Sequence, residues 1–90
     1  MKLRQILRRL GKTQQGKVKL RELIERYKYR LEEQEYKILK LAYLDKELRD
    51  KTCLKLNISR ATYQNLLNIT LSRLEALISD TILRELILIM

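Results

Sequence analysis

The stretch LKLNISRATYQNLL, residues 54–67, breaks an apolar helical pattern and restarts it within a few residues. Asn57 is one of the few residues other than glycine that tolerate a left-handed backbone, so it can end the preceding helix. Ile58 would then fill the angle between two helices, and Ser59 would cap the next one by accepting hydrogen bonds from its first N–H groups. A turn of this length joins two helices at a steep angle, as in a helix-turn-helix.

The predicted helix after Ser59 has two distinct faces. One face is apolar: Tyr63, Leu66, Leu67, Thr70, Leu71, Leu74, Leu77 and Ile78. The other carries small or uncharged polar side chains, with an arginine at its start: Arg60, Ala61, Asn65, Asn68 and Ser72, flanked by Thr62, Gln64 and Ile69. Asn and Gln can bond N6 and N7 of adenine, and Arg can bond O6 and N7 of guanine. The pattern therefore predicts a helix that reads the DNA major groove; the alternative is an ordinary surface helix.

Helical spacing extends over most of the chain. Leu3, Ile6, Leu7 and Leu10 predict a first helix that ends at Gly11, followed by a loop over residues 11–16. A second stripe comprises Val18, Leu20, Leu23, Ile24, Tyr27 and Leu31. The acidic run 32–35 suits the first turn of a helix that reaches residue 44, with Ile38, Leu39, Ala42 and Tyr43 inward. Since no proline or glycine separates these helices, residues 17–44 form either one helix or two.

The segment before the turn predicts a short helix, with Leu48, Thr52, Cys53 and Leu56 facing inward. The expected fold is therefore all-α, a small bundle of four to six helices that contains a helix-turn-helix. Ninety residues make one domain with a modest core.

The composition excludes several classes of function. The chain has no histidine and a single cysteine, which argues against a metal site, Cys/His catalysis and an intramolecular disulfide. We expect no cofactor and no enzymatic activity, because the sequence also has no Gly-rich phosphate loop. No apolar run approaches the roughly 20 residues that span a membrane, and the N-terminus is no signal-peptide core. These features predict a cytoplasmic protein.

The positive charge is concentrated in the first third of the chain. Residues 1–30 hold eleven Lys/Arg and two Glu, a net charge of +9, whereas residues 31–90 hold nine basic and nine acidic side chains and are neutral. Such a basic block most often attracts nucleic acid. On the first helix, Lys2, Arg4, Arg8 and Arg9 lie opposite the apolar stripe and are predicted to contact phosphates. The alternatives are a solubilising face and a membrane-surface helix, which the lack of Trp and Phe disfavours.

The end of the chain, LRELILIM at residues 83–90, is its most apolar stretch. Left in water, it would promote association. Either it folds back on the N-terminal helices, or it forms a homodimer through Leu83, Leu86, Ile87 and Met90.

Residues 31–74 resemble region four, the promoter-reading C-terminal domain of bacterial sigma factors, and also the stand-alone sigma-like regulators of phages and mobile elements. The shared features are the acidic start, ILKLAYL, then a turn and helix, then NISRATY, and the spacing of Tyr63, Leu67, Leu71 and Leu74. The sequence departs from the family where Asn57 replaces a usual glycine and Leu48 a usual Ser or Thr cap. The resemblance implies a DNA surface of Arg60, Ala61, Thr62, Gln64, Asn65 and Asn68, and phosphate contacts from Arg49, Lys51 and Ser59. It also implies RNA polymerase as a partner.

The expected organisation is a basic N-terminal part, a region-four-like domain and an apolar C-terminal helix, at residues 1–30, 31–78 and 79–90. The favoured function is a sequence-specific regulator of transcription that binds double-stranded DNA. The alternative is a small helical module that binds RNA polymerase or a sigma factor without reading DNA, which the neutrality of residues 31–90 favours.

Overall fold

The computed structural model of the chain describes residues 3–89, which form six α-helices. They are α1 (Leu3–Leu10), α2 (Gln14–Tyr27), α3 (Glu33–Leu39), α4 (Arg49–Leu56), α5 (Arg60–Leu77) and α6 (Asp80–Ile89). A 3-10 turn (Lys28–Arg30) follows α2, and a π-helical turn (Lys40–Leu44) continues α3. The predicted all-α bundle is confirmed.

The first two helices form a tight hairpin. Thr13 caps α2 by accepting a hydrogen bond from the N–H of Gly16, at 2.9 Å. The predicted loop 11–16 is therefore too long, because α2 has already begun at Gln14. A Cβ atom at Gly16 would lie 2.0 Å from the carbonyl oxygen of Leu10, so the absence of a side chain lets the two helices approach.

Two separate helices occupy the region from 17 to 44, which settles the question that the sequence left open. Glu32 precedes α3 in an extended conformation and forms a reciprocal capping box with Glu35. The Glu35 side chain accepts a hydrogen bond from the N–H of Glu32 at 2.9 Å and also lies 3.2 Å from Nε of Arg73 on α5. Because Glu35 is buried, this ion pair fixes α3 against α5.

The break at Asn57, Ile58 and Ser59 is confirmed. Asn57 adopts φ 56° and ψ 51°, the left-handed region. The N–H of Asn57 donates to the Leu54 carbonyl and that of Ile58 to the Cys53 carbonyl, at 3.3 and 3.0 Å. These two bonds form a Schellman motif, which normally packs an apolar residue at the position of Ile58 against the helix that has just ended.

The core centres on α5, which contacts α1, α3 and α4. The core contains all four predicted apolar residues of α1, together with side chains of every other helix. Helix α6 packs against α1 and α2.

Two expectations about apolar side chains are wrong, and a third is met within the chain itself. Val18 is 54% exposed, because it lies on the side of α2 opposite Leu20. Leu48 is 68% exposed, since it precedes α4 in an extended conformation. Leu86, expected to be covered either by folding back or in a homodimer, is buried within its own chain.

The rest of that predicted interface divides between core and surface. Leu83 is half-buried against the core, whereas Ile87 is 41% exposed. Met90 lies outside the described residues. Folding back of α6 therefore accounts for the burial of Leu86 and leaves Ile87 on the surface.

Among residues 3–89, no helix combines the length and the apolar character needed to cross a membrane.

Candidate nucleic-acid interface

The side chains predicted to read bases share the exposed side of α5. All six are exposed: Arg60, Ala61, Thr62, Gln64, Asn65 and Asn68. The opposite side of the helix is buried through Tyr63, Leu67, Thr70, Leu71 and Leu74. The hydroxyl of Ser59 accepts a hydrogen bond from the N–H of Thr62 at 3.1 Å, so the first turn of α5 is capped. The N-terminal half of α5 is thus a capped helix whose outer face is uncharged after Arg60.

Arg60 is held in place by the preceding helix. Its Nε and Nη2 each donate to a carboxylate oxygen of Asp50, both at 2.9 Å. An exposed pair of this kind contributes about 0.2–1 kcal/mol, whereas a bidentate contact to guanine contributes about 1–3 kcal/mol of discrimination. Releasing Asp50 therefore costs Arg60 little, and its guanidinium has the geometry for a bidentate contact to guanine.

Asn68 connects the outer face of α5 to α1. Its Oδ1 accepts hydrogen bonds from Nη2 of Arg4, 64 residues away in sequence, at 2.5 Å, and from Nε2 of Gln64 at 3.1 Å. The Asn68 amide group keeps its two N–H donors for another partner. The pairing also fixes the side-chain orientations of Arg4 and Gln64 beside the predicted reading surface.

Asn65 lies between these two anchored residues. Its side chain is exposed, and none of the side-chain hydrogen bonds found within residues 3–89 engages it. Because an amide can donate to N7 and accept from N6 of adenine, Asn65 is free to make both contacts.

The side chains predicted to contact phosphates lie in two places. Arg8 and Arg9 are exposed on α1, and Lys2 lies outside the described residues. Arg49 begins α4 and, like Lys51, is exposed. The hydroxyl of Ser59, predicted as a phosphate contact, is occupied by the cap of α5 and also donates to the hydroxyl of Thr62 at 3.0 Å.

A cleft that the sequence did not predict lies beside the start of α5. We call it the basic cleft: it is lined by Arg8, Lys12 and Lys46, with Tyr43 and Tyr63 in its walls, and its volume is about 260 Å³. Burial raises the pKa of Tyr43 above its ordinary value, although the charges of Arg4 and Arg8 oppose the shift. Burial likewise raises the pKa of Tyr63. Both phenols are consequently protonated hydrogen-bond donors at neutral pH.

Within residues 3–89, no group of three or more His, Cys, Asp or Glu side chains is placed to hold a metal ion. The chemistry of the exposed surface is instead that of amide, hydroxyl and guanidinium groups on and beside α5.

A comparison with known families gives a match to residues 5–75, which extend from α1 to near the end of α5. The matching family is described as a protein of unknown function, DUF1492. No curated protein and no solved structure matches the chain.

Proposed function

The chain belongs to the DUF1492 family, and we propose that it is a transcription regulator that binds specific sequences of double-stranded DNA. In this proposal α5 enters the major groove and reads bases with the side chains that its first three turns expose. The resemblance of residues 31–74 to region four of sigma factors supports a stand-alone regulator of the type found in phages and mobile elements.

The observation that carries the proposal is the hydrogen bond between Arg4 and Asn68. Phosphate attraction dominates the affinity of most proteins for DNA, and base contacts provide the specificity. Residues 31–90 have no net charge, so the attraction must come from the first third of the chain. Since Arg4 lies against Asn68, α1 carries its positive charges directly beside the uncharged face of α5.

The test of base reading is the variant Asn65→Ala. A preferred site is first selected from random DNA, and affinities for that site and for unrelated DNA are then measured by fluorescence anisotropy. We expect Asn65→Ala to weaken binding to the preferred site by about 1–3 kcal/mol and to leave binding to unrelated DNA unchanged. Gln34→Ala, which removes an exposed amide from α3, serves as the matched control. Equal loss on both DNAs would show that Asn65 reads no base.

The test of phosphate contact is the double variant Arg8→Gln and Arg9→Gln, which leaves the hydrogen bond between Arg4 and Asn68 in place. Each lost phosphate contact should reduce the slope of log affinity against log salt by about 0.9, with equal weakening on all DNA sequences. Lys19→Gln and Arg21→Gln form the control, because they remove the same charge from exposed positions of α2. Circular dichroism checks that both variants are folded. Identical slopes in the two variants would contradict a positional role for α1.

A second candidate function is a module that binds RNA polymerase or a sigma factor without reading DNA. Two exposed leucines favour it: Leu48 and Leu54, the latter 81% exposed on α4. Under this alternative, Leu54→Gln abolishes capture of purified RNA polymerase, and the wild-type protein shows no preference among DNA sequences. Under the main proposal, Leu54→Gln leaves DNA affinity and sequence preference intact.

A further inference from the structure

We infer that the basic cleft binds a phosphate group, and that the DNA backbone beside α5 supplies it. The inference rests on the proposed function for the source of the phosphate and assigns the DNA contact to two residues, Lys12 and Lys46, that the sequence did not indicate.

The first argument is charge. Arg8, Lys12 and Lys46 come from three segments, α1, the turn after it and the turn after Leu44, and converge on one cleft. No carboxylate of residues 3–89 lines this cleft, and none of the ion pairs within those residues includes its three cations. Like charges held together in a concave site raise the local potential and attract an anion.

The second argument is the backbone that places Lys46. Lys46 has φ 49°, which is uncommon for a residue with a side chain, and it directly follows the π-helical turn and Asp45. Strained residues and π-helical turns are often found at binding sites. A Cβ atom at Gly11 would lie 3.1 Å from Cε of Lys46, so glycine leaves room for the lysine to lie across the end of α1.

The third argument is size and hydrogen bonding. A volume of about 260 Å³ is below the roughly 300–1,000 Å³ of ordinary small-molecule pockets, so the cleft suits one anionic group better than a whole nucleotide. The two phenols in its walls can donate hydrogen bonds to phosphate oxygens, and the guanidinium and ammonium groups supply charge-assisted bonds.

The fourth argument is position. Tyr63 in the wall of the cleft belongs to α5, the helix that carries the reading surface. Arg8 lies one helical turn after Arg4, which contacts Asn68. Since side chains four residues apart on a helix are neighbours, the cleft borders the surface that faces DNA in the proposal. A backbone phosphate next to the groove is therefore the nearest source of the anion.

The experiment uses the full chain with Lys12→Gln and Lys46→Gln, both at exposed positions. The control carries Lys19→Gln and Lys37→Gln, which remove the same charge from two exposed surface ion pairs. Circular dichroism establishes that both variants fold. We expect the cleft variant to reduce the salt slope of DNA binding by up to about 1.8, for two lost contacts, and the control to leave the slope unchanged.

A second arm needs no DNA: inorganic phosphate, with chloride at matched ionic strength as the reference, is titrated into each protein and the melting temperature is recorded. A slope that falls in the cleft variant alone assigns the cleft to the DNA backbone. A phosphate-dependent rise of the melting temperature that the cleft variant loses, with an unchanged slope, assigns it to a free phosphate and overturns the DNA source. If neither the salt slope nor the melting temperature responds in this way, the inference is overturned. If the wild-type chain binds no DNA, the proposed function fails, while the phosphate titration still decides whether the cleft is an anion site.

Discussion

Replacing Gly16 by alanine should destabilise the protein, although the same change within a helix normally stabilises it. Gly16 lies in the first turn of α2, where alanine has a better helix propensity by about 0.5–1 kcal/mol. The added Cβ atom, however, would lie 2.0 Å from the carbonyl oxygen of Leu10 and 2.8 Å from its carbonyl carbon. Both are backbone atoms at the end of α1, so no side-chain rotation can relieve the overlap.

The size of the effect follows from what must move. To restore an ordinary contact distance, α1 and α2 must separate by roughly 1 Å or more at their closest point. That is a large shift for a packed interior. Overpacking of this kind costs about 1–3 kcal/mol, and an overlap with backbone belongs at the upper end. After the gain in helix propensity, we expect a net loss of about 2 kcal/mol. That corresponds to a fall of about 8–16 °C in the melting temperature of a domain of this size.

The assay is urea and thermal unfolding followed by circular dichroism, with Gly11→Ala as the matched control. The Cβ atom at Gly11 would meet Cε of Lys46 at 3.1 Å and the Tyr43 carbonyl oxygen at 3.2 Å, so displacements of a few tenths of an ångström suffice. We therefore expect Gly11→Ala to be the milder change. A Gly16→Ala variant as stable as the wild type would refute the close approach of the two helices.

Three other predictions concern the turn at Asn57 and the hydroxyl groups of buried side chains. Asn57→Val should cost about 1–2 kcal/mol in urea unfolding, because a β-branched side chain is disfavoured at φ 56°, whereas Asn57→Gly should be tolerated; equal stabilities would contradict the left-handed turn. Thr52→Val should raise the free energy of unfolding by about 1 kcal/mol, since the buried Thr52 hydroxyl has no hydrogen-bond partner within residues 3–89. Thr70→Val should lower it, because the Thr70 hydroxyl donates to the Leu66 carbonyl at 2.7 Å. If both variants change the free energy of unfolding in the same direction, this account is contradicted. Because the pKa values of Tyr43 and Tyr63 are raised in the folded protein, the unfolded chain releases these phenol protons first as pH rises. The free energy of unfolding is therefore unaffected by them below pH 10.0 and falls at higher pH. Replacing both by phenylalanine should reduce this alkaline fall in unfolding measurements, and an unaltered pH profile would argue against the raised pKa values.

The turn that decides the fold could be predicted because its signals are local. Asn57, Ile58 and Ser59 act through their own backbone angles and through hydrogen bonds to residues a few positions away. The stripe on α1 was equally readable, and all four of its apolar residues are buried. Helical geometry also explains the wrong expectation that Val18 is buried, because Val18 lies about 200° around the helix from Leu20.

The errors at the ends of helices have a different cause. Leu48 precedes α4 in an extended conformation, so helical spacing did not apply to it. On α6, Ile87 projects about 100° from the buried Leu86, and the short helix packs through one side only. A stretch in which most residues are apolar gives little indication of which side is buried.

Only part of the candidate site could be predicted from the sequence, and the reason is physical. The outer face of α5 is a periodic pattern, so its exposed residues could be named from sequence. The pairs Arg4 with Asn68 and Arg60 with Asp50 join different helices, and nothing in the local sequence of either partner indicates the other. The basic cleft needs three segments to meet, and the unusual φ of Lys46 has no signal in the residues around it.

Helix α1 is positively charged and is also part of the hydrophobic core. Its Leu3, Ile6, Leu7 and Leu10 belong to the same buried core as the inner side of α5, so α1 cannot be a loose basic arm. Arg8 and Arg9 are exposed on the same short helix, and Arg4 reaches Asn68. Charges fixed to a rigid element lose little conformational entropy when they meet phosphates, and they hold the register of the element beside them. In the proposed complex α1 would therefore set the position of α5 in the groove as well as attract the DNA.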